Sequence, residues 1–175
     1  MTPSLDVDLP SLVEPFSAAG FPATYYPPSE DQPFNLLRVC LDAGADEPQV
    51  FAEVVPVPGL EDLHVLQFLV PLVHEIVPEH APTLAQFLLD LNAESMLNGF
   101  GMRADMQLLY FRAMIPQTKG GLDAALLVEV LWATAYTVDR LGPLIGPVAS
   151  GEQSLEEGLA ALRRNLQESY RPSFG

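Results

Sequence analysis

Short apolar runs, cut by Gly, Pro and acidic residues, set the rhythm of this chain from its start. In "DLPSLVEPFSAAG", Leu9, Leu12, Val13 and Phe16 recur at helical spacing, with Asp8 or Ser11 as N-cap and Gly20 as stop. Pro10 or Pro15 must then sit in or near the first turn. Four further runs follow: "ATYY", "FNLLRVCLDA", "QVFAEVVPVPG" and "LHVLQFLVPLV". They are rich in Val, Leu and aromatics and bounded by turn residues, so they predict successive strands. Pro56 and Pro58 imply that the third run ends there or lies near a sheet edge.

The second half begins with a clearer helix. "PTLAQFLLDLNAES" puts Leu84, Phe87, Leu88 and Leu91 on one face, with Pro82 suited to the first turn. "GFGMRA" and "QLLYFRAMIP" predict a hairpin around Asp105 and Met106, and "GLDAALLVEVLWATAYTVDRL" a long helix. After "GPLIGP", a last amphipathic helix over about 153–169 opens with the capping box Ser154-Leu155-Glu156-Glu157. This order lacks regular βαβ alternation and predicts one α+β domain over residues 1–175.

Several stretches imitate reactive sites. Gly99-Phe100-Gly101-Met102-Arg103-Ala104 fits the dinucleotide pattern G-x-G-x-x-G/A. That pattern works where glycines follow a strand and open a helix whose amides meet the pyrophosphate. Here they follow a helix and open a strand. Gly99 reads instead as the helix stop, and Gly101 as a close backbone approach at a strand start. "HEIVPEH" resembles a zinc-protease motif, but that chemistry needs two histidines four apart on one helix face. His74 and His80 are separated by Pro78, so a metal would need a distant third ligand such as His64 or Glu75. Cys40, the sole cysteine, is expected beside buried apolar residues as a packing residue. There is no G-x-S-x-G elbow and no Walker loop. The expectation is therefore no catalytic residue, no cofactor and no metal.

Charge changes the picture more than chemistry does. Eight basic against 23 acidic residues give a formal net charge of −15, and Lys119 is the only lysine. Phosphate backbones need clustered Lys or Arg to release counterions. The one adjacent basic pair, Arg163-Arg164, is offset by Glu156, Glu157 and Glu168. Direct nucleic-acid binding is not expected, and the same field repels anionic membranes while attracting basic proteins. "MTPSLDVDLP" has no basic start and no apolar core, and no apolar run reaches membrane-spanning length, so the expected location is the cytoplasm.

Two elements carry more apolar surface than one core face needs. In "QLLYFRAMIP", Leu109, Phe111, Ala113 and Ile115 form one face, while Leu108, Tyr110, Arg112 and Met114 form the other. Aromatic, Met and Arg residues are enriched at interfaces, so this second face is the candidate partner-binding strip. In the long helix, Leu127, Leu131, Ala135 and Val138 make one stripe; Trp132 and Tyr136 point elsewhere and are the candidate dimer interface.

The run "LAQFLLDLNAESMLNGFGMRADMQLLYFRAMIP", followed by "VLWATAYTVDRLGPLIGPVASG", resembles the bacterial YbjN family. Leu91-Asn92, Gly99, Phe100, Pro116 and Gly151 stand at the matching places, and the resemblance covers about residues 81–151. It implies a fold like that of type III secretion chaperones: a twisted antiparallel sheet flanked by helices, usually dimeric, binding other proteins without catalytic residues. The C-terminal helix is extra to that pattern. The expected function is a chaperone-like or regulatory protein-binding module, a homodimer whose partner is a basic, nucleic-acid-handling protein. A small-molecule sensor domain and a metal-dependent enzyme are the alternatives.

Overall fold

The computed structural model describes residues 8–41, 49–56, 64–72, 74–95, 97–117 and 123–169. Its helices are α1 (Val13–Ala18), α2 (Ala81–Glu94), α3 (Ala124–Leu141), α4 (Ile145–Ala149) and α5 (Leu155–Ser169). Its strands are β1 (Ala23–Tyr26), β2 (Leu36–Cys40), β3 (Gln49–Pro56), β4 (His64–Leu72), β5 (Phe100–Arg103) and β6 (Leu108–Gln117). The strand order β1-β2-β3-β4-β6-β5 makes a six-stranded sheet, and the fold is α+β. Among the described residues, no helix is long and apolar enough to cross a membrane. The chain divides into two compact units: Met1–Pro71 with Arg112–Ala135, and Leu72–Phe111 with Tyr136–Gly175.

In the first unit, the prolines shape the opening helix. Pro10 is the second residue of a 3-10 turn, Leu9–Leu12, and Pro15 falls in the first turn of α1, where a missing N–H costs nothing. Neither expected N-cap acts through its side chain; the Ser11 hydroxyl instead donates to the Asp8 carbonyl at 2.7 Å. Gly20 does stop the helix. Its φ of +93° lets Gly20 N–H reach the Ser17 carbonyl and Phe21 N–H the Phe16 carbonyl, the paired bonds of a left-handed C-terminal cap.

The chain then runs as an antiparallel meander. Tyr25 is opposite Leu37, Leu37 opposite Ala52 and Ala52 opposite Phe68; in the next row, Ala23, Val39 and Val50 align. Residues opposite one another share a face, so Leu37, Val39, Val50, Ala52, Leu66, Phe68 and Val70 form one wholly buried surface. Phe16 of α1 meets the Phe68 ring edge-on at 6.2 Å, and Leu127 and Leu131 of α3 are also fully buried. β3 lies between β2 and β4 and ends at Pro56; that proline marks a strand end, not an edge strand. Pro58 lies outside the described residues.

In the second unit, α2 buries Leu84, Phe87, Leu88 and Leu91, with Pro82 in its first turn. β5 and β6 pair with Phe100 opposite Phe111 and Gly101 opposite Tyr110; the two Phe rings meet at 5.0 Å. A short turn over Ala104–Met106 and a left-handed Gln107 close this hairpin. Gly99 is not the helix stop. α2 already ends at Glu94 through an extended Ser95, and Gly99 has no positive φ. Gly101 does mark a close approach, since a Cβ there would lie 2.7 Å from the Tyr110 ring.

The "GPLIGP" connection also holds an element that the sequence pattern did not reveal, α4 behind a 3-10 turn at Gly142–Leu144. Gly158 lets α5 approach α4 and α2, because a Cβ there would stand 2.7 Å from Val148 and 3.2 Å from Phe87. The expected capping box forms: Ser154 N–H donates to Glu157 Oε2 at 2.8 Å, and Glu157 N–H to Ser154 Oγ at 3.3 Å.

Candidate functional site

The sheet face opposite the buried one, within the first unit, gathers the most varied chemistry. One unbroken row crosses four strands: Thr24, Arg38, Phe51 and Leu69 lie directly opposite one another in turn. Tyr26 with Leu36, Glu53 with Gln67, and Val55 with Val65 extend the same face. Thr24 is exposed, Val65 and Gln67 are buried, and the others are half-buried. The Arg38 guanidinium sits 5.4 Å from the centre of the Tyr26 ring, a cation–π arrangement. Gln67 Nε2 donates to Glu53 Oε1 at 2.6 Å. The result is a partly accessible apolar and aromatic platform with one cation and one carboxylate set into it.

Cys40 belongs to this face. Alternation along β2 turns it away from buried Leu37 and Val39, and its partner across the ladder is Gln49. The expectation of a thiol buried among core residues is corrected: Cys40 is half-buried. Sequence reasoning did not single this platform out. The signal was present in the alternation of Gln49, Phe51, Glu53 against Val50, Ala52, Val54.

The residues selected from sequence divide between the two units. Leu108 and Tyr110 are half-buried in the second unit, where the Tyr110 ring lies over Gly101. Arg112 and Met114 are exposed in the first unit. Leu109 and Phe111 are buried, as their face of the strand requires, while Ala113 and Ile115 are half-buried.

On α3, Trp132 is 54% exposed yet meets Phe21 edge-on at 4.7 Å, all within the first unit. Exposed Ala125 and Leu126 precede it in the same unit. Tyr136 falls in the second unit, where its hydroxyl accepts a hydrogen bond from Arg140. Arg140 Nε also donates to Asn165 Oδ1 at 2.7 Å, so this tyrosine belongs to the contact that ties α3 to α5.

The imitation sites take structural roles. Phe100 to Arg103 form a strand, not a helix start, so their amides do not converge as a pyrophosphate cradle requires. His74 and His80 rest on separate glycines. A Cβ at Gly146 would lie 3.0 Å from His74 Nδ1, and one at Gly151 would lie 2.1 Å from His80 Nε2. Among the described residues, no three His, Cys, Asp or Glu side chains are grouped to hold a metal ion. Asp105 is held below its ordinary pKa by the hydrogen bond from Arg103, whose own pKa is raised in return, on the exposed hairpin turn. Glu157 is held low by the Ser154 amide it caps.

No family model, curated protein or solved structure matches the chain.

Proposed function

We propose that the protein is a non-enzymatic, protein-binding module of the YbjN and secretion-chaperone-like type, acting in the cytoplasm as a homodimer. The observation that carries this reading is the half-accessible platform of Tyr26, Leu36, Arg38, Phe51, Val55 and Leu69 on a sheet whose other face is closed. Aromatic anchors beside an Arg are the composition of binding hot spots. The β6 residues Leu108, Tyr110, Arg112 and Met114, and Trp132 and Tyr136 on α3, supply further apolar surface in their own units. A net charge of −15 favours a basic partner, and nucleic-acid-handling proteins are one class that carries such surfaces.

Affinity capture with the wild-type protein and with Phe51→Asp, compared by quantitative mass spectrometry, tests this. A basic protein should be captured by the wild type, depleted with the variant at unchanged melting temperature, and weakened by added salt. Identical captured sets from both proteins would refute the platform.

A further inference from the structure

We infer that the outer edge of β1 is a docking site for an extended, basic segment of the partner protein, which adds as an antiparallel strand. This rests on the protein-binding reading and specifies how part of the partner is held.

Hydrogen-bond parity locates the site. Cys40 N–H donates to the Pro22 carbonyl at 2.9 Å, so Pro22 and Cys40 form a hydrogen-bonded pair. Such pairs alternate along an antiparallel ladder. With Ala23 opposite Val39, the bonded positions on β1 are therefore Thr24 and Tyr26, and Ala23 and Tyr25 turn their backbone groups outward. The Ala23 amide confirms the parity, since it points away from β2 to Ser17 Oγ at 3.3 Å. Left outward are the Ala23 carbonyl, the Tyr25 amide and the Tyr25 carbonyl, with no partner among the described residues.

The other edge of the sheet is treated differently. On β5, in the second unit, Asn92 holds both outward groups of Phe100: its Oδ1 accepts from the amide at 2.9 Å and its Nδ2 donates to the carbonyl at 2.8 Å. Unpaired strand edges are sites for adding a strand unless they are covered. β5 is covered at Phe100; among the described residues, β1 is open at Tyr25.

A second copy of this chain fits the open edge less well than a separate peptide. With the two-fold axis at Tyr25, Ala23 would face Pro27, which has no N–H to give. With the axis at Thr24, each Tyr25 carbonyl would need an Ala23 amide that Ser17 already holds. Either arrangement makes two bonds, whereas a peptide residue opposite Tyr25, and another opposite Ala23, make three. Charge adds to the preference. The β1–β2 connection presents exposed Glu30 and Asp31 on a turn closed by Ser29 N–H to the Gln32 carbonyl at 2.7 Å. In an antiparallel peptide these carboxylates lie toward its N-terminal side, so the basic residues precede the paired ones. Copies of a −15 chain repel there.

The probe is a heptapeptide of three lysines followed by alternating Thr and Val, titrated into the full chain. Bound peptide should slow hydrogen exchange of the Tyr25 amide at least tenfold. N-methylation of one alternate set of peptide amides should abolish binding while the other set is tolerated, the signature of a strand bonded on one side. Tyr25→Pro removes the outward amide together with the hydrogen bond that the Tyr25 hydroxyl donates to Asn35, whereas Tyr25→Ala removes that bond and keeps the amide; binding should be at least tenfold weaker in the proline variant than in the alanine variant. Binding that survives both methylated sets and instead perturbs Phe51 and Leu69 would overturn the edge while leaving the protein-binding reading intact. No binding at millimolar peptide would overturn the edge too; the Phe51→Asp capture experiment judges the wider reading separately.

Discussion

Replacing Asn92 with Ala removes the side chain that fixes the start of β5 against the end of α2. Asn92 Oδ1 accepts from the Gly99 amide at 3.1 Å and the Phe100 amide at 2.9 Å, while Nδ2 donates to the Phe100 carbonyl at 2.8 Å. An intramolecular hydrogen bond nets about 0.5–1.5 kcal/mol, and a buried group left unpaired costs about 1–3 kcal/mol. Gly99 and Asn92 are half-buried, so water replaces part of what is lost. The expected cost is about 2–3 kcal/mol, less than three full penalties. In a chain of this length that lowers Tm by roughly 4–12 °C. Urea unfolding should show a lower midpoint at unchanged slope, since the denatured surface is the same. A second readout separates edge closure from stability: with Phe100 uncovered, β5 gains an open edge, and the variant should self-associate more than the wild type at equal folded fraction. A loss below about 0.5 kcal/mol would refute the accounting, and unchanged association would refute the role at the edge.

Gly20 and Gly151 both have positive φ, but only Gly151 is crowded, with the His80 ring 2.1 Å from a Cβ. Gly20→Ala should cost about 1–2 kcal/mol and Gly151→Ala clearly more; equal melting temperatures would contradict the contact with His80. Light scattering at micromolar concentration should return about twice the 19.0 kDa chain mass, and Trp132→Ala should shift it toward the monomer; a wild-type monomer throughout would sink the dimer. Glu157 has its folded pKa lowered from 4.5, so its cap stabilises fully above that value and the benefit is lost as pH falls through the folded pKa. The stability difference between wild type and Glu157→Gln should therefore be present at pH 7 and shrink in acid; a difference independent of pH would exclude the carboxylate as its source.

Where local periodicity carries the information, the elements were legible: the α2 face, the Gly20 stop, the four-strand run and the capping box at Ser154 follow from spacing alone. Gly99 misled because the true end of α2 is set from a distance. Gly99 and Phe100 are held by the side chain of Asn92, which no neighbour pattern announces. α4 went unseen because it is five residues long and two of them, Gly146 and Pro147, are poor helix formers, so a short local pattern does not announce it. Cys40 was placed on the wrong face because Leu36 and Leu37 are both apolar, leaving the parity of β2 undecided until Val39 fixes it. The platform hid for the same reason: Phe51, Val55 and Leu69 make its face nearly as apolar as the buried one, and strands apolar on both sides read as fully covered.

The two ends of the sheet meet the same hazard by different physics. At β5, a side-chain amide occupies the exposed backbone groups of Phe100, a local solution that works against any newcomer. At β1, the Tyr25 backbone groups have no partner among the described residues, and the Ala23 amide is taken by Ser17. An open edge of this kind would recruit other copies of the chain unless something kept them apart. The excess of acidic residues opposes pairing at this edge, where a second copy of the same −15 chain makes two bonds; the proposed homodimer forms instead through the apolar surface of α3. Repulsion of this sort is selective where a plug is not: it disfavours a second copy at β1 and leaves that edge open to a segment of opposite charge. On this argument the acidic composition is part of how the site chooses its occupant, and neutralising Glu30 and Asp31 should make β1 less discriminating between a basic peptide and a second copy.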